Sequence, residues 1–135
     1  MAAKTFNQMV NEALAEVPAI SPAEARQRML QDPRTLVIDA CDAADIAANG
    51  TIPGALNISL GGLTYKADNE VPEDWREPEL QDRSRPIITT CLVGPLGALA
   101  GKLLKDMGFT NVSILEGGTQ AWKGAGFPTQ RPPQT

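Results

Sequence analysis

Histidine is absent from this 135-residue chain, and cysteine and aromatic residues are scarce: there are two cysteines, and aromatic residues make up 4% of the sequence. Without histidine, a Cys–His catalytic pair, histidine acid–base chemistry and the commonest metal ligand are all excluded. Two cysteines are too few for a disulfide framework, and Cys41 and Cys91 lack the spacing of zinc ligands. We therefore predict reduced thiols and no metal site.

Long apolar runs and an excess of positive charge are also missing. No segment is apolar enough to cross a bilayer, and residues 1–8 lack the apolar core of a signal peptide. The formal net charge of −4 opposes binding to nucleic acid or to anionic membrane surfaces. We therefore expect a cytoplasmic protein whose partners are small molecules or other proteins, with no nucleic acid and no membrane among them.

Short β-branched runs alternate with helical segments along the chain. Ser21, Pro22 and Glu24 form a strong helix-start signal. The patterns predict helices at residues 5–15, 22–31, 43–48 and 98–107, and strands at residues 35–38, 55–58, 87–90 and 112–115. This alternation predicts one α/β domain with a mostly parallel sheet covered on both faces. Residues 59–85 are predicted to be an irregular excursion anchored by Trp75, either on the surface or beside the functional site.

Cys91 follows the strand predicted at residues 87–90 and precedes a loop that contains Gly94, Pro95 and Gly97. The N-terminus of the next helix carries roughly half a positive charge beside unpaired N–H groups, which stabilises a thiolate. The glycines allow successive N–H groups to converge on one point, and the proline stiffens the loop. Ligands of parallel sheets bind beyond the carboxyl ends of strands. Cys91 is thus a candidate nucleophile, with a structural buried cysteine as the alternative.

Three segments carry a family resemblance, and they occur in the family's order. They are Ile52-Pro53-Gly54-Ala55-Leu56-Asn57-Ile58, then residues 91–100 from Cys91, and finally residues 115–128, which begin Leu115-Glu116-Gly117-Gly118. Together they resemble rhodanese-like sulfurtransferase domains over residues 19–128. The resemblance implies a three-layer α/β/α fold with a five-stranded parallel sheet flanked by helices. It leaves an N-terminal helical extension at residues 1–18 and a flexible tail at residues 129–135.

The resemblance also implies a chemistry for the cysteine loop. Cys91 would alternate between thiolate and persulfide while sulfur passes from a small-molecule donor to a thiol or protein acceptor. No metal or organic cofactor would be needed. The persulfide would be held by the backbone of six residues: Leu92, Val93, Gly94, Pro95, Leu96 and Gly97.

The chain departs from the family pattern near this cysteine. Leu96 and Gly97 stand where the family usually has a basic residue followed by serine or threonine, and Cys41 and Thr51 stand at common arginine and histidine positions. Losing a charge-assisted contact of about 1.5–3 kcal/mol would weaken dianion binding about ten- to hundredfold. We therefore expect weak thiosulfate use and a neutral or protein-bound persulfide donor. The alternative is an impaired domain that acts as a protein-binding or sulfur-carrier module. Related phosphatases require arginine at the position of Gly97.

Asp39 and Cys41 come at the end of another predicted strand, which places them at the same edge as Cys91 if the sheet is parallel. Asp39 is expected either to support the site by accepting backbone N–H bonds or to cap the helix that begins near residue 43. Cys41 has two interpretations, as a small buried apolar residue or as a thiol that resolves an oxidised or persulfidated Cys91.

Overall fold

The computed structural model describes residues 3–131, and within them six α-helices alternate with five β-strands. The helices are α1 (Phe6–Glu16), α2 (Pro22–Gln31), α3 (Ala43–Asn49), α4 (Leu60–Lys66), α5 (Pro95–Asp106) and α6 (Gly118–Gly124). The strands are β1 (Ala19–Ile20), β2 (Leu36–Asp39), β3 (Leu56–Asn57), β4 (Ile87–Thr90) and β5 (Val112–Leu115). Short 3₁₀ helices at Glu73–Trp75 and Pro78–Leu80 follow α4.

Side-chain caps fix the starts of the first two helices. The Thr5 hydroxyl accepts the Gln8 N–H at 3.1 Å, and the Gln8 side chain accepts the Thr5 N–H at 2.7 Å, which is a complete capping box. The Ser21 hydroxyl accepts the Glu24 N–H at 3.2 Å, with Pro22 in the first helical position. Both helices therefore begin within one residue of the predicted positions.

All five strands are parallel, in the order β1-β5-β4-β2-β3. This confirms the five-stranded parallel sheet and the α/β class. Four of the strands were predicted from the sequence, three from runs rich in β-branched residues and β3 from its place after the turn at residues 52–54. The fifth, β1, has two residues at the edge of the sheet, which is too short to produce a recognisable periodicity.

Helices cover both faces of the sheet and create two apolar cores. On one face, α1, α4 and α5 pack Ala13, Leu63 and Leu104 against strand residues that include Ile38 and Ile87. On the other face, α2 and α6 supply Ala25 and Trp122 against Val37, Ile88 and Leu115. Adjacent residues of one strand thus enter different cores, because successive side chains point to opposite faces. This double burial explains why β2, β4 and β5 lack the alternation of apolar and polar residues that a half-buried strand shows.

The 59–85 segment is more ordered than predicted. It contains α4 and both 3₁₀ helices, and Leu63 and Leu80 are fully buried. Trp75 is 55% exposed and meets Tyr65 edge-on at 6.2 Å, so its predicted role as the anchor was wrong. The seven-residue α4 contains two glycines, Gly61 and Gly62, which obscure its helical pattern in the sequence.

Gln130, in the predicted flexible tail, forms an antiparallel bridge with Thr51 through backbone hydrogen bonds of 2.8 and 2.9 Å. Residues 132–135 of that tail and residues 1–2 of the N-terminal extension lie outside the described residues. No helix within residues 3–131 is both long enough and apolar enough to cross a membrane.

Candidate active site

The carboxyl ends of β2 and β4 bring the two cysteines together. Asp39 and Thr90 are partners in the register of these strands, and each is followed closely by a cysteine. Cys41 and Cys91 share one buried cluster with Ile46 of α3. The sheet edge therefore joins the predicted nucleophile and the predicted supporting residues in one place.

The loop after Cys91 is shorter than predicted, because α5 begins at Pro95 instead of residue 98. Gly94 is the N-cap of this helix with φ +124°, a conformation that favours glycine, and proline is well suited to the first helical position. Leu92, Val93 and Gly94 form the loop, whereas Pro95, Leu96 and Gly97 form the first helical turn. The six predicted binding residues thus divide between a loop and a helix start.

Cys91 lies beneath this loop and is 3% exposed. Its Sγ accepts the backbone N–H of Gly94 at 3.1 Å. The first N–H groups of a helix have no intrahelical partner, and Pro95 has no N–H, so Leu96 and Gly97 carry the free donors of this turn. The helix start also favours negative charge. This arrangement can hold a sulfur anion without a cationic side chain.

Gly97 serves a different purpose from the loop curvature predicted for it. A Cβ added at this position would come within 2.9 Å of the Thr90 backbone. In addition, the Gly97 carbonyl accepts the Thr89 hydroxyl at 2.7 Å. Glycine is therefore required here because α5 packs directly against the end of β4. No side chain fits at this position unless the helix moves.

The outer surface of the loop is apolar. Leu92 and Val93 are exposed, and Val93 borders an open cleft of about 230 Å³ between α1, the loop and the end of β5. Leu14 of α1 lines the opposite side of this cleft, and the charged residue among its described lining residues is Glu116. The cleft favours uncharged groups over anions.

The start of α6 holds the loop from the side. The Thr119 N–H donates to the Cys91 carbonyl at 2.8 Å, and the Gln120 N–H donates to the Leu92 carbonyl at 2.9 Å. Gly118 has φ +68°, and a Cβ there would lie 2.5 Å from the Cys91 carbonyl oxygen. Sequence reasoning missed this support, although the Gly117-Gly118 pair shortly after β5 was its visible signal.

Asp39 is buried and holds the turn that follows β2. Its Oδ2 accepts the Thr51 hydroxyl at 2.6 Å, and its Oδ1 accepts the Cys41 N–H at 3.1 Å. It does not cap α3, whose N-cap is Asp42. Thr51, at the position where the family often has histidine, thus provides a hydroxyl to this carboxylate.

Cys41 sits in the same turn, in surroundings that favour its protonated thiol. The Asn57 side-chain amide donates to the Cys41 carbonyl at 2.8 Å and to the Asp39 carbonyl at 3.0 Å, a clamp that sequence reasoning missed. Burial raises the pKa of the Cys41 thiol to about 12, and the Asp39 charge, a hydrogen bond to Asp39 and the Cys91 charge act in the same direction. The Leu92 backbone N–H opposes this rise in pKa.

A model of the rhodanese-like domain family matches residues 21–125. The chain belongs to this family. Human thiosulfate:glutathione sulfurtransferase is 30% identical, over 81% of this chain and 96% of the human protein. A Rhodopseudomonas palustris protein of unknown function, described as a possible tyrosine phosphatase, superposes with a TM-score of 0.87 at 27% identity, covering 96% of this chain and 97% of its own. The homodimeric polysulfide-sulfur transferase of Wolinella succinogenes gives a TM-score of 0.73 at 27% identity, covering 93% and 86%.

The rhodanese-like domain described here offers thiol chemistry at its sheet edge. Within residues 3–131, no group of three or more cysteine, aspartate or glutamate side chains is arranged to hold a metal ion. Residues 91–97 contain no lysine or arginine. The groups of this loop that could bind an anion are therefore backbone N–H donors and the start of α5.

Proposed function

We propose that this chain is a sulfurtransferase that moves sulfane sulfur through a persulfide on Cys91. The observation that carries the proposal is the buried Cys91 sulfur, which accepts the Gly94 N–H at the start of the 12-residue helix α5. The matches to human and Wolinella proteins named as sulfurtransferases support the same general activity.

The proposed reaction has two displacement steps. The Cys91 thiolate attacks the outer sulfur of a persulfide donor, the donor S–S bond breaks, and the remainder of the donor leaves as a thiolate. An acceptor thiolate then attacks the outer sulfur of the Cys91 persulfide, which breaks the new S–S bond and restores the Cys91 thiolate. The Gly94 N–H and the free donors of Leu96 and Gly97 stabilise the negative charge in both steps.

We further propose that thiosulfate is a weak donor. The loop Leu92–Gly94 and the first turn of α5 contain no cationic side chain, and Leu96 occupies the place where the family usually has one. The missing charge-assisted contact would lower dianion affinity about ten- to hundredfold. A neutral or protein-bound persulfide loses less, because it brings less charge to the site.

Phosphatase activity is not proposed, although one structural relative is described as a possible tyrosine phosphatase. A phosphate dianion in such a loop needs a guanidinium to stabilise the charge of the transition state. Gly97 stands at the arginine position, and the 2.9 Å approach to Thr90 leaves no room for a side chain.

The proposed chemistry needs reduced thiols, and both Cys41 and Cys91 are free and buried. Reducing compartments keep thiols in this state. We therefore propose a cytoplasmic location.

The test is intact-protein mass after exposure to thiosulfate and, separately, to a low-molecular-weight persulfide. We expect one added sulfur atom that cyanide or a thiol removes, formed far more readily from the persulfide. Cys91→Ser should give no adduct, and Cys41→Ser is the matched control that should still load. No adduct on the native chain from either donor would overturn the proposal and favour a protein-binding or sulfur-carrier module. Efficient loading from sub-millimolar thiosulfate would overturn the donor preference alone.

A further inference from the structure

Cys41 is a buried thiol that the proposed sulfur transfer does not use. It follows β2 by two residues, Cys91 follows β4 by one residue, and these strands are neighbours in the sheet. Both cysteines belong to the same buried cluster. The first turn of α5 closes over this cluster, because Leu96 packs against it. The two side chains therefore enter one buried cluster from adjacent strand ends.

The spacing of the strands allows a disulfide between these cysteines. Asp39 and Thr90 are paired in register, and the Ala40 N–H donates to the Thr90 carbonyl at 2.9 Å. Neighbouring strands lie about 4.8 Å apart, and an offset of one residue adds about 3.3 Å along the strand. The two Cα atoms are thus expected at about 6 Å, within the limit of about 7 Å for a disulfide. In regular strands this offset would direct the two side chains to opposite faces, but β2 ends at Asp39 and β4 at Thr90, and beyond these ends both cysteines enter one buried cluster.

We propose that Cys41 discharges a Cys91 persulfide that no acceptor has taken, releasing sulfide and closing a Cys41–Cys91 disulfide. This inference rests on the proposed function, since it begins from the Cys91 persulfide. It gives Cys41 a reaction of its own, separate from the transfer of sulfur from a donor to an acceptor thiol.

The step balances without an external oxidant. The Cys41 thiolate attacks Sγ of Cys91, the bond between that sulfur and the outer sulfur breaks, and the outer sulfur leaves with the electron pair as hydrosulfide. The proton released from Cys41 neutralises the hydrosulfide or passes to solvent. The outer sulfur is reduced to sulfide while the two cysteine sulfurs are oxidised to a disulfide. A thiol reductant returns the chain to its dithiol form.

The surroundings of Cys41 make this discharge slow. Asp39 and Cys91 are the titratable groups whose charges act on the Cys41 thiol, and both, together with burial, keep it protonated near neutral pH. A protonated thiol is a poor nucleophile, so an external acceptor thiol that reaches the site attacks first. Only a persulfide left without an acceptor survives long enough to be discharged.

The experiment follows the fate of a preloaded persulfide without air. The native chain and Cys41→Ser are loaded with a low-molecular-weight persulfide, freed of donor and incubated without acceptor. In the native chain we expect the added sulfur to disappear, with one sulfide released per chain and a mass two hydrogen atoms below that of the dithiol. In Cys41→Ser the persulfide should last at least about tenfold longer, since the attacking thiolate is missing.

Other outcomes decide against the proposal. Equal persulfide lifetimes in the native chain and in Cys41→Ser would overturn it, as would peptide mapping that finds the outer sulfur moved to Cys41. If neither protein loads sulfur, the proposed function itself fails and the discharge fails with it. A separate arm treats the reduced native chain with diamide: failure to form the Cys41–Cys91 disulfide would overturn the pairing while leaving the proposed function intact.

Discussion

The two cysteines both lie at the carboxyl ends of the sheet strands, but the charged and polar groups around them differ. Cys91 sits at the start of α5 and accepts the Gly94 N–H, whereas burial and the neighbouring Asp39 carboxylate raise the pKa of the Cys41 thiol to about 12. Both are almost fully buried, so burial alone does not distinguish them. The comparison teaches that the charges and dipoles within a few ångströms of a thiol decide whether it acts as a nucleophile.

The segments that carry the two thiols are also held differently. The turn around Cys41 is held by side chains, through Asp39, Thr51 and Asn57. The loop after Cys91 is held by backbone donors from the start of α6. Side-chain changes in the loop should therefore alter specificity without disturbing its shape, whereas side-chain changes around the turn should disturb its structure.

The difference between the two thiols is tested most directly by removing each of them in turn. Cys91→Ser should abolish persulfide loading, because a serine hydroxyl is not a thiolate at neutral pH. Cys41→Ser should still load one sulfur, to the same extent as the native chain when the mass is recorded before the slow discharge. Equal loading of both variants would show that the assignment of the nucleophile is wrong.

The backbone support of the loop can be tested at Gly118. Gly118→Ala combines φ +68° with contacts of 2.5 Å to the Cys91 carbonyl and 2.8 Å to the Gly94 nitrogen. We expect a loss of about 3 kcal/mol in the free energy of unfolding, measured by urea denaturation, together with slower persulfide loading. Gly124→Ala is the matched control in the same helix, because an added Cβ there meets nothing within 4 Å. Equal stability of the two variants would contradict the proposed loop support.

The missing cation can be restored at Leu96. Leu96→Arg places a guanidinium at the start of α5, and we expect kcat/KM for thiosulfate to rise about ten- to hundredfold at low salt. Activity with an uncharged persulfide should change little, and Leu96→Met controls for altered packing. A rise that is equal for both donors would argue against charge as the cause.

The smallest expected effect is a pH dependence of stability due to Cys41. The ordinary pKa of 9.0 applies in the unfolded chain, and the folded value is about 12, so between these values only the folded chain keeps the proton. Stability should therefore be unaffected below about pH 9 and fall above it, by at most about 1.4 kcal/mol per pH unit. The stability difference between the native chain and Cys41→Ala should shrink by about 1 kcal/mol from about pH 8 to about pH 10 in urea denaturation. A constant difference would show that the Cys41 pKa is not raised.

Strands β4 and β5 occur at the predicted residues, because each is a short segment rich in β-branched residues and buried on both faces. The start of α5 was misplaced by three residues, since Gly94 and Pro95 favour both a loop and a helix start. The glycine pair at the start of α6 was visible in the sequence, but its contact with the Cys91 loop and the contact of Asn57 with the turn could not be predicted. Their contacts join segments far apart in the chain, and local pattern contains no information on such pairing.

The bridge between Gln130 and Thr51 ties the end of the domain to its thiol pair. Thr51 donates its hydroxyl to Asp39, and Asp39 sets the environment of Cys41. A change that removes the Gln130 bridge would therefore release the backbone of Thr51, whose hydroxyl binds the carboxylate beside Cys41. Anyone who engineers this protein should place tags and linkers with that coupling in mind.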